Sequence, residues 1–198
     1  VVLTKDNVPV VFHDIHLDDT TDVATLFPKK RREDGRYYAI DLTLAEIKQL
    51  QVHERIDVKS AKQIFPQRFP LNHSRFEVPT LAELIELLIG LNHSTGANVG
   101  LYPEIKEPQF HLKESKDIAK IVATLVTSYE PRLGAAPLFW QCFHAETLKR
   151  FGTELASKYP RILLIEDGDL DLDNKKELEK QISKIAKFSQ GIGPSLTH

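Results

Sequence analysis

Two short groups of polar residues have the chemical types needed to move a proton and to bind a phosphate. The first is His13 with Asp14, which end the apolar run Val10–Phe12 where a parallel strand would give way to a loop. Such positions often form active sites. Histidine titrates near neutral pH and a neighbouring carboxylate can orient its ring, so this pair could transfer a proton. Turn-forming polar residues are the alternative that the pattern alone leaves open.

The second group is Glu104 with Lys106, in the segment Tyr102-Pro103-Glu104-Ile105-Lys106. Because side chains alternate along a strand, both charges should lie on one side and Ile105 on the other. A carboxylate can bind a hard cation such as Ca²⁺ or Mg²⁺, and a lysine ammonium can neutralise a phosphate oxygen. An ordinary salt bridge at a strand end is equally compatible with the spacing.

The elements around these residues are predicted from local signals. Val1–Leu3 and Val8–Phe12 should form a strand pair around the turn residues 5–7. Two helices should begin with capping boxes. The predicted boxes are Thr43 with Glu46, and Thr80 with Glu83, the latter opening a helix Leu81–Leu91 with Leu84, Leu87, Leu88 and Leu91 along one face.

Strands and helices alternate in the second half of the sequence. The predicted strands are Val99–Ile105, Leu138–Phe143 and Ile162–Ile165, and the helices lie around 118–125, Ala145–Ala156 and Lys175–Phe188, the last before Gly191-Ile192-Gly193. Alternation with apolar strands is typical of a parallel α/β sheet, either a barrel or an open doubly wound sheet. The polar stretch of about residues 18–79 is then predicted to be an insertion after the early strand pair, because structureless loops of that length are uncommon in compact domains.

Composition excludes several classes of protein. The chain has 198 residues, with 26 basic and 28 acidic side chains and a net charge of −2, which argues against nucleic acid as a partner. No apolar run approaches the length of about 20 residues that a membrane-spanning helix needs. The one cysteine, Cys142, excludes an internal disulfide. The basic run 29–32 could favour an anionic surface, but a solvated loop is the commoner role of so short a run.

Four ordered blocks of the sequence resemble the glycerophosphodiester phosphodiesterase family. They are residues 4–21, which include Val8-Pro9-Val10-Val11-Phe12-His13-Asp14; Val78-Pro79-Thr80-Leu81-Ala82-Glu83-Leu84; Tyr102-Pro103-Glu104-Ile105-Lys106; and Gln141-Cys142-Phe143. Residues 34–41 and 91–96 resemble the bacterial periplasmic branch, which has the long insertion. The resemblance covers nearly the whole chain and fades only around residues 167–174.

The resemblance implies a TIM-type (β/α)8 barrel and hydrolysis of glycerophosphodiesters to glycerol 3-phosphate and an alcohol with the help of a divalent cation, Ca²⁺ or Mg²⁺. It makes His13 a catalytic acid or base, Glu104 a metal ligand, Lys106 a residue near the substrate phosphate and Asp14 a supporting residue. Phe143, at the end of its strand, is predicted to contact substrate. These residues are expected to converge on one pocket.

The sequence also departs from the family pattern. The family's first His-Arg strand and Glu-x-Asp metal motif should precede Val1, and its closing strands should follow His198, so the chain is predicted to be a fragment of one barrel domain, 1–198. Asp19 stands where many members have arginine, and Gln109 where close relatives have an aromatic residue. The alcohol, the cation and the oligomeric state are left open by the sequence.

Two other functions remain as alternatives. Without the missing ligands, the chain could be a catalytically inactive binding or surface-displayed domain of the same fold. A phospholipase of the phosphatidylinositol-specific kind also has histidines at strand ends, although the Pro-Glu-Ile-Lys block disfavours it. The expected partner is a small glycerophosphodiester, and the expected location is the periplasm or the bacterial cell envelope. Most of the other histidines are predicted to be surface residues: His16, His53, His73, His93, His111, His144 and His198.

Overall fold

A computed structural model describes residues 1–68 and 75–195 of the protein. By their internal contacts they fall into two compact units, unit 1 (Val1–Leu84) and unit 2 (Ile85–His198). The prediction of one domain over residues 1–198 stays a prediction. His73 and His198, two of the predicted surface histidines, lie outside the described residues.

Unit 1 begins with the predicted strand pair. The strands β1 (Val2–Leu3) and β2 (Pro9–Val10) pair antiparallel, with Val2 opposite Val10. Asn7 turns the chain with a positive φ of 64°, a conformation that asparagine tolerates better than most residues. The described partners of β2 are antiparallel. His13 therefore follows the second strand of a hairpin, and the prediction that it follows a parallel strand is wrong.

The polar stretch after the hairpin contributes to the same core as the hairpin. Its helices are short, so their stability has to come from packing more than from their own hydrogen bonds. They are α1 (Val23–Leu26), α2 (Leu44–Ile47) and two 3₁₀ turns, Pro28–Lys30 and Ala39–Asp41. The buried residues of this core are Val2, Val10, Leu17, Val23, Tyr37, Ala39, Leu42, Ile47, Leu50 and Val78. The described parts of the stretch 18–79 therefore pack with the hairpin through shared burial of apolar side chains.

Both predicted capping boxes are confirmed. The Thr43 side chain accepts from the backbone N–H of Glu46, whose carboxylate accepts from the backbone of Thr43. Thr80 and Glu83 make the same exchange at 2.7 and 3.0 Å and open the helix α3 (Leu81–Thr95).

The predicted apolar face of α3 is wrong. Leu87 and Leu91 are exposed, while Leu81 and Ile85 are buried. Positions four residues apart near the start of α3 therefore bury their side chains, and the leucines of the later turns do not.

The alternation of strands and helices predicted for the second half is confirmed in unit 2. Its described parallel sheet has the order β3-β4-β5, with β3 Trp140–Cys142, β4 Arg161–Ile165 and β5 Gly191–Pro194. The helices that accompany it are α4 (Pro108–Lys113), α5 (Ile118–Leu133), α6 (Ala145–Gly152) and α7 (Lys175–Ile185).

The predicted strand Val99–Ile105 is reduced to two isolated parallel bridges, Leu101 with Leu138 and Glu104 with Gln141. Pro103 lies between these points and has no N–H to give to a ladder. Leu101 and Ile105 are nevertheless buried, as the alternation predicts. The segment therefore runs beside β3 without forming a continuous ladder with it.

The basic run 29–32 is largely engaged within unit 1. Lys30 pairs with Glu46 at 2.9 Å, and Arg32 pairs with Asp41 at 2.6 Å. These contacts favour the solvated-loop interpretation over a free anion-binding patch. Among the described residues, no helix is both long and apolar enough to cross a membrane.

Candidate active-site residues

His13 and Asp14 form a hydrogen-bonded pair at the surface of unit 1. The Nδ1 atom of His13 lies 2.6 Å from Oδ1 of Asp14, while 69% of the histidine side chain is exposed. Holding Nδ1 against a carboxylate fixes the ring orientation, and it leaves the other ring nitrogen, Nε2, for proton transfer. The pair therefore has the arrangement that acid–base chemistry requires.

Arg55 binds the other side of Asp14. One terminal nitrogen of the Arg55 guanidinium donates to Oδ2 of Asp14, and the other donates to Oδ2 of Asp19. Burial by itself would raise the pKa of the Asp14 carboxyl, but the hydrogen bonds from Arg55 and His13 outweigh burial, so that pKa lies below its ordinary value. Asp14 is accordingly a carboxylate at neutral pH.

Backbone hydrogen bonds place Arg55 opposite the two aspartates. The N–H of His53 donates to the carbonyl of Thr20 at 2.9 Å, and the N–H of Ile56 donates to the carbonyl of Asp19 at 2.8 Å. These two bonds lie on either side of Arg55 in the chain. The position of the arginine thus comes from the backbone, independently of its own ion pairs.

Glu104 and Lys106 lie on one side of the chain, as strand alternation predicts. Lys106 Nζ donates to Oε1 of Glu104 at 3.1 Å, and the side chains are only 16% and 19% exposed. The backbone around Glu104 is held by β3, since Gln141 donates to the Pro103 carbonyl at 3.2 Å and accepts from Ile105 at 3.0 Å. Ile105, on the opposite side, is buried.

Phe143 lies beside this charged pair. The ammonium of Lys106 is 5.4 Å from the centroid of the Phe143 ring, and the ring is exposed. A cation over an aromatic face at this distance is attracted by the ring quadrupole. Unit 2 therefore brings together three of the predicted site residues, Glu104, Lys106 and Phe143, next to solvent.

Two neighbours of Phe143 add polar groups. His144 Nε2 lies 2.7 Å from the amide nitrogen of Gln109, and its Nδ1 lies 3.0 Å from the hydroxyl of Thr147. Cys142 is buried, and burial raises the pKa of its thiol to about 11, so it is not a nucleophile at neutral pH.

In each unit, the described residues do not make a complete site for a divalent cation. No group of three or more histidine, cysteine or acidic side chains in residues 1–68 and 75–195 is arranged to hold a metal ion. Glu104 is the one predicted ligand, and Lys106 already partly neutralises its carboxylate. Hard cations take six or more oxygen ligands, so these residues alone do not fit one.

The structure thus gathers the predicted residues into two groups, His13 with Asp14 in unit 1 and Glu104 with Lys106 and Phe143 in unit 2. Their convergence on one pocket, and the role of each, stay predictions. Arg55 was not predicted, because a lone arginine in a polar stretch carries no spacing signal.

Comparison with known proteins identifies the family. Residues 1–192 match the model of the glycerophosphoryl diester phosphodiesterase family. A glycerophosphodiester phosphodiesterase of Haemophilus influenzae is 37% identical over 97% of this chain, and one of Treponema pallidum is 32% identical over 98%. The chain spans 58% and 60% of the length of these two relatives.

Solved structures agree with the family match. A Silicibacter pomeroyi protein assigned as a glycerophosphoryl diester phosphodiesterase superimposes on 98% of this chain with a TM-score of 0.64 at 21% identity, covering 63% of that protein. One from Agrobacterium tumefaciens gives a TM-score of 0.61 at 19% identity, covering 98% of this chain and 60% of that one. These likenesses, together with the family match, imply a TIM-barrel-like fold. The chain belongs to the glycerophosphoryl diester phosphodiesterase family.

Proposed function

We propose that the protein hydrolyses glycerophosphodiesters to glycerol 3-phosphate and a free alcohol. The match of residues 1–192 to the family carries the proposal, and the two relatives above are both named glycerophosphodiester phosphodiesterase. The geometry of the candidate residues supports it, because an exposed histidine paired with a carboxylate and a half-buried lysine beside a glutamate are the groups that such a reaction uses.

The role of each residue follows the resemblance. His13 transfers a proton, and its ring is held by the Asp14 carboxylate at Nδ1. Lys106 neutralises charge on the phosphate, since its ammonium has three N–H donors and Glu104 accepts from one of them. Phe143 contacts the substrate beside that ammonium.

A divalent cation, Ca²⁺ or Mg²⁺, is part of the proposal, with Glu104 as one of its ligands. When bound, such an ion supplies Lewis-acid polarisation of a phosphate oxygen. The backbone bonds of Gln141 to Pro103 and from Ile105 fix the main chain on either side of Glu104.

The whole protein is further proposed to form an eight-stranded (β/α)8 barrel and to act in the periplasm or elsewhere in the bacterial cell envelope. The barrel is supported by the parallel order β3-β4-β5 with its intervening helices and by the two structural likenesses. The location rests on the sequence resemblance to the periplasmic branch.

A catalytically inactive binding domain is the second candidate. The observation that favours it is the absence of a three-ligand cluster among the described residues. An inactive domain would still bind a glycerophosphodiester through Lys106 and Phe143, but it would not release an alcohol.

The test is release of glycerol 3-phosphate from glycerophosphocholine by the intact protein, followed in a coupled enzyme assay with and without a chelator. We expect turnover that a chelator abolishes and that excess Ca²⁺ or Mg²⁺ restores. His13→Ala should abolish release while leaving the circular dichroism spectrum unchanged. The matched control is His93→Ala, which removes an exposed histidine from α3 and should leave turnover intact.

Binding without turnover in the wild type would support the inactive domain instead. Full turnover in His13→Ala would remove His13 from the mechanism and defeat the assignment of this residue.

A further inference from the structure

The Asp14 carboxylate has two partners of different kinds within unit 1. On one oxygen it holds the imidazole of His13 at 2.6 Å, and on the other it accepts from the guanidinium of Arg55. A carboxylate that is hydrogen-bonded on both oxygens has little freedom to rotate about its side-chain torsions. The orientation of His13 therefore depends on what fixes the far side of Asp14.

Arg55 is itself held on its far side by Asp19. The guanidinium is planar and its two terminal nitrogens donate in a fixed fork, one to each aspartate. The two backbone bonds from His53 and Ile56 to the segment of Asp19 set the distance that the arginine has to bridge. A lysine at this position has one ammonium group and could not reach both carboxylates in the same geometry.

Asp19 is a buried residue that has few other means of compensating its charge. It is only 9% exposed, Arg55 takes its Oδ2 atom, and its Oδ1 atom has no hydrogen-bond partner within residues 1–68 and 75–195. A buried, incompletely satisfied carboxylate costs free energy unless a counter-charge is fixed beside it. Arg55 is that counter-charge for Asp19, and the same guanidinium also binds Asp14, so one side chain supports the buried carboxylate and fixes Asp14 together.

We propose that Arg55 is a positioning residue for the reaction, bridging Asp19 and Asp14 so that Asp14 holds the His13 ring in the orientation for proton transfer. This inference rests on the proposed function, since it assigns Arg55 a role through His13. Asp19 anchors the bridge through its Oδ2 atom. The guanidinium comes from the stretch 18–79 and not from the segment that contains His13.

The experiment compares three variants of the intact protein in glycerophosphocholine hydrolysis. In Arg55→Gln, we expect kcat to fall about 10- to 100-fold with KM within about twofold, because a misoriented proton-transfer group slows the chemical step without removing a substrate contact. Arg55→Lys keeps the charge but not the fork and should retain an intermediate kcat. Arg36→Gln breaks the neighbouring ion pair with Asp18, which is 2.7 Å long, and should keep wild-type kcat.

A pH profile separates positioning from a purely structural role. The groups that face Asp14 in unit 1 are His13 and Arg55, and Asp19 faces Arg55. Without Arg55, the pKa of the Asp14 carboxyl rises, so the acid limb of the kcat profile should move to higher pH in Arg55→Gln and stay in place in Arg36→Gln. Loss of stability alone would not move that limb in protein that remains folded.

The outcomes are distinguishable. Wild-type turnover together with an unchanged kcat and pH profile in Arg55→Gln would overturn this inference and leave the proposed function standing. Absence of turnover in the intact wild type would overturn both. If Arg55→Gln does not fold, Arg55→Lys decides, since wild-type kcat in that variant would show that the fork is not needed.

Discussion

The pair His13–Asp14 in unit 1 and the pair Glu104–Lys106 in unit 2 are held in place by different kinds of interaction. Asp14 lies in a bend that follows a two-residue strand. Its carboxylate is held by side-chain hydrogen bonds, with Arg55 on one oxygen and His13 on the other. Glu104 is fixed by its backbone, which forms a parallel bridge with Gln141 above the buried side chain of Ile105.

The difference shows what each pair depends on. Partly exposed ion pairs contribute little stability and are screened by salt, so an arrangement such as that around Asp14 is adjustable but sensitive to any change of charge. Register in a sheet is set by hydrogen bonds and burial, so Glu104 and Lys106 should tolerate changes of nearby charge but not of the core below them.

The largest effect expected in unit 2 comes from removing the ammonium of Lys106. Lys106→Met keeps an apolar stem of similar length but removes the ammonium that lies over the Phe143 ring, and with it the charge proposed to stabilise the phosphate. We expect kcat/KM for glycerophosphocholine to fall by about 10²- to 10³-fold, the usual cost of losing one electrostatic group of this kind.

Lys149→Met is the matched control, since Lys149 is an exposed lysine of α6 paired with Glu146 at 2.6 Å. It should leave kcat/KM unchanged. Equal activity in the two variants would show that Lys106 forms only an ordinary salt bridge with Glu104, the alternative that the sequence left open.

The contrast between the two pairs also explains which parts of the molecule the sequence predicted. Three predicted features depend on residues within four positions of one another. They are the placement of Glu104 and Lys106 on one side of the chain, the capping boxes of Thr43 and Thr80, and the alternation of strands and helices around β3 to β5. Local periodicity and capping are visible in a single sequence.

What the sequence did not predict depends on distant residues. Arg55 reaches Asp14 across 41 positions, and no spacing rule connects an arginine in a polar loop to a histidine so far away in the chain. The burial of Ile85 in place of Leu87 and Leu91 has a similar origin, because which face of an apolar helix is covered is decided by its neighbours. The break at Pro103 in the predicted strand Val99–Ile105 could have been anticipated from its missing N–H.

A second test addresses the dependence of the Glu104–Lys106 pair on its core. Ile105 is 1% exposed, so Ile105→Ala should leave a cavity and lower the free energy of unfolding by about 2–5 kcal/mol, whereas Ile105→Val should cost only about 0.5–1.5 kcal/mol. Urea denaturation of the variants measures both changes.

Activity of the folded Ile105→Ala protein sharpens the comparison with Asp14. If backbone register holds Glu104, the cavity should lower kcat/KM as well as stability, while Ile105→Val should keep near-normal kcat/KM. A fully active Ile105→Ala protein would show that the Gln141 bridge positions Glu104 without help from the core.

The smallest effect concerns two histidines in opposite surroundings, the exposed His13 of unit 1 and the buried His111 of unit 2. Burial lowers the pKa of His111 below its ordinary value of 6.5, although the hydrogen bond between its Nδ1 atom and the Glu107 carbonyl opposes the shift. Folded protein therefore binds fewer protons at His111 than unfolded protein does as the pH falls below about 6.5.

The sign of the stability change follows from this difference in bound protons. The contribution of His111 is fully present above the unfolded pKa and is lost as the pH falls from about 6.5 toward the lowered folded pKa.

In urea titrations between about pH 7.5 and 5, wild-type protein should lose more stability than His111→Asn, which cannot take up that proton. His93→Asn, at an exposed position of α3, should keep the wild-type slope. Parallel slopes for wild type and His111→Asn would mean that burial of His111 is not coupled to its protonation, and the two histidines would then differ in exposure alone.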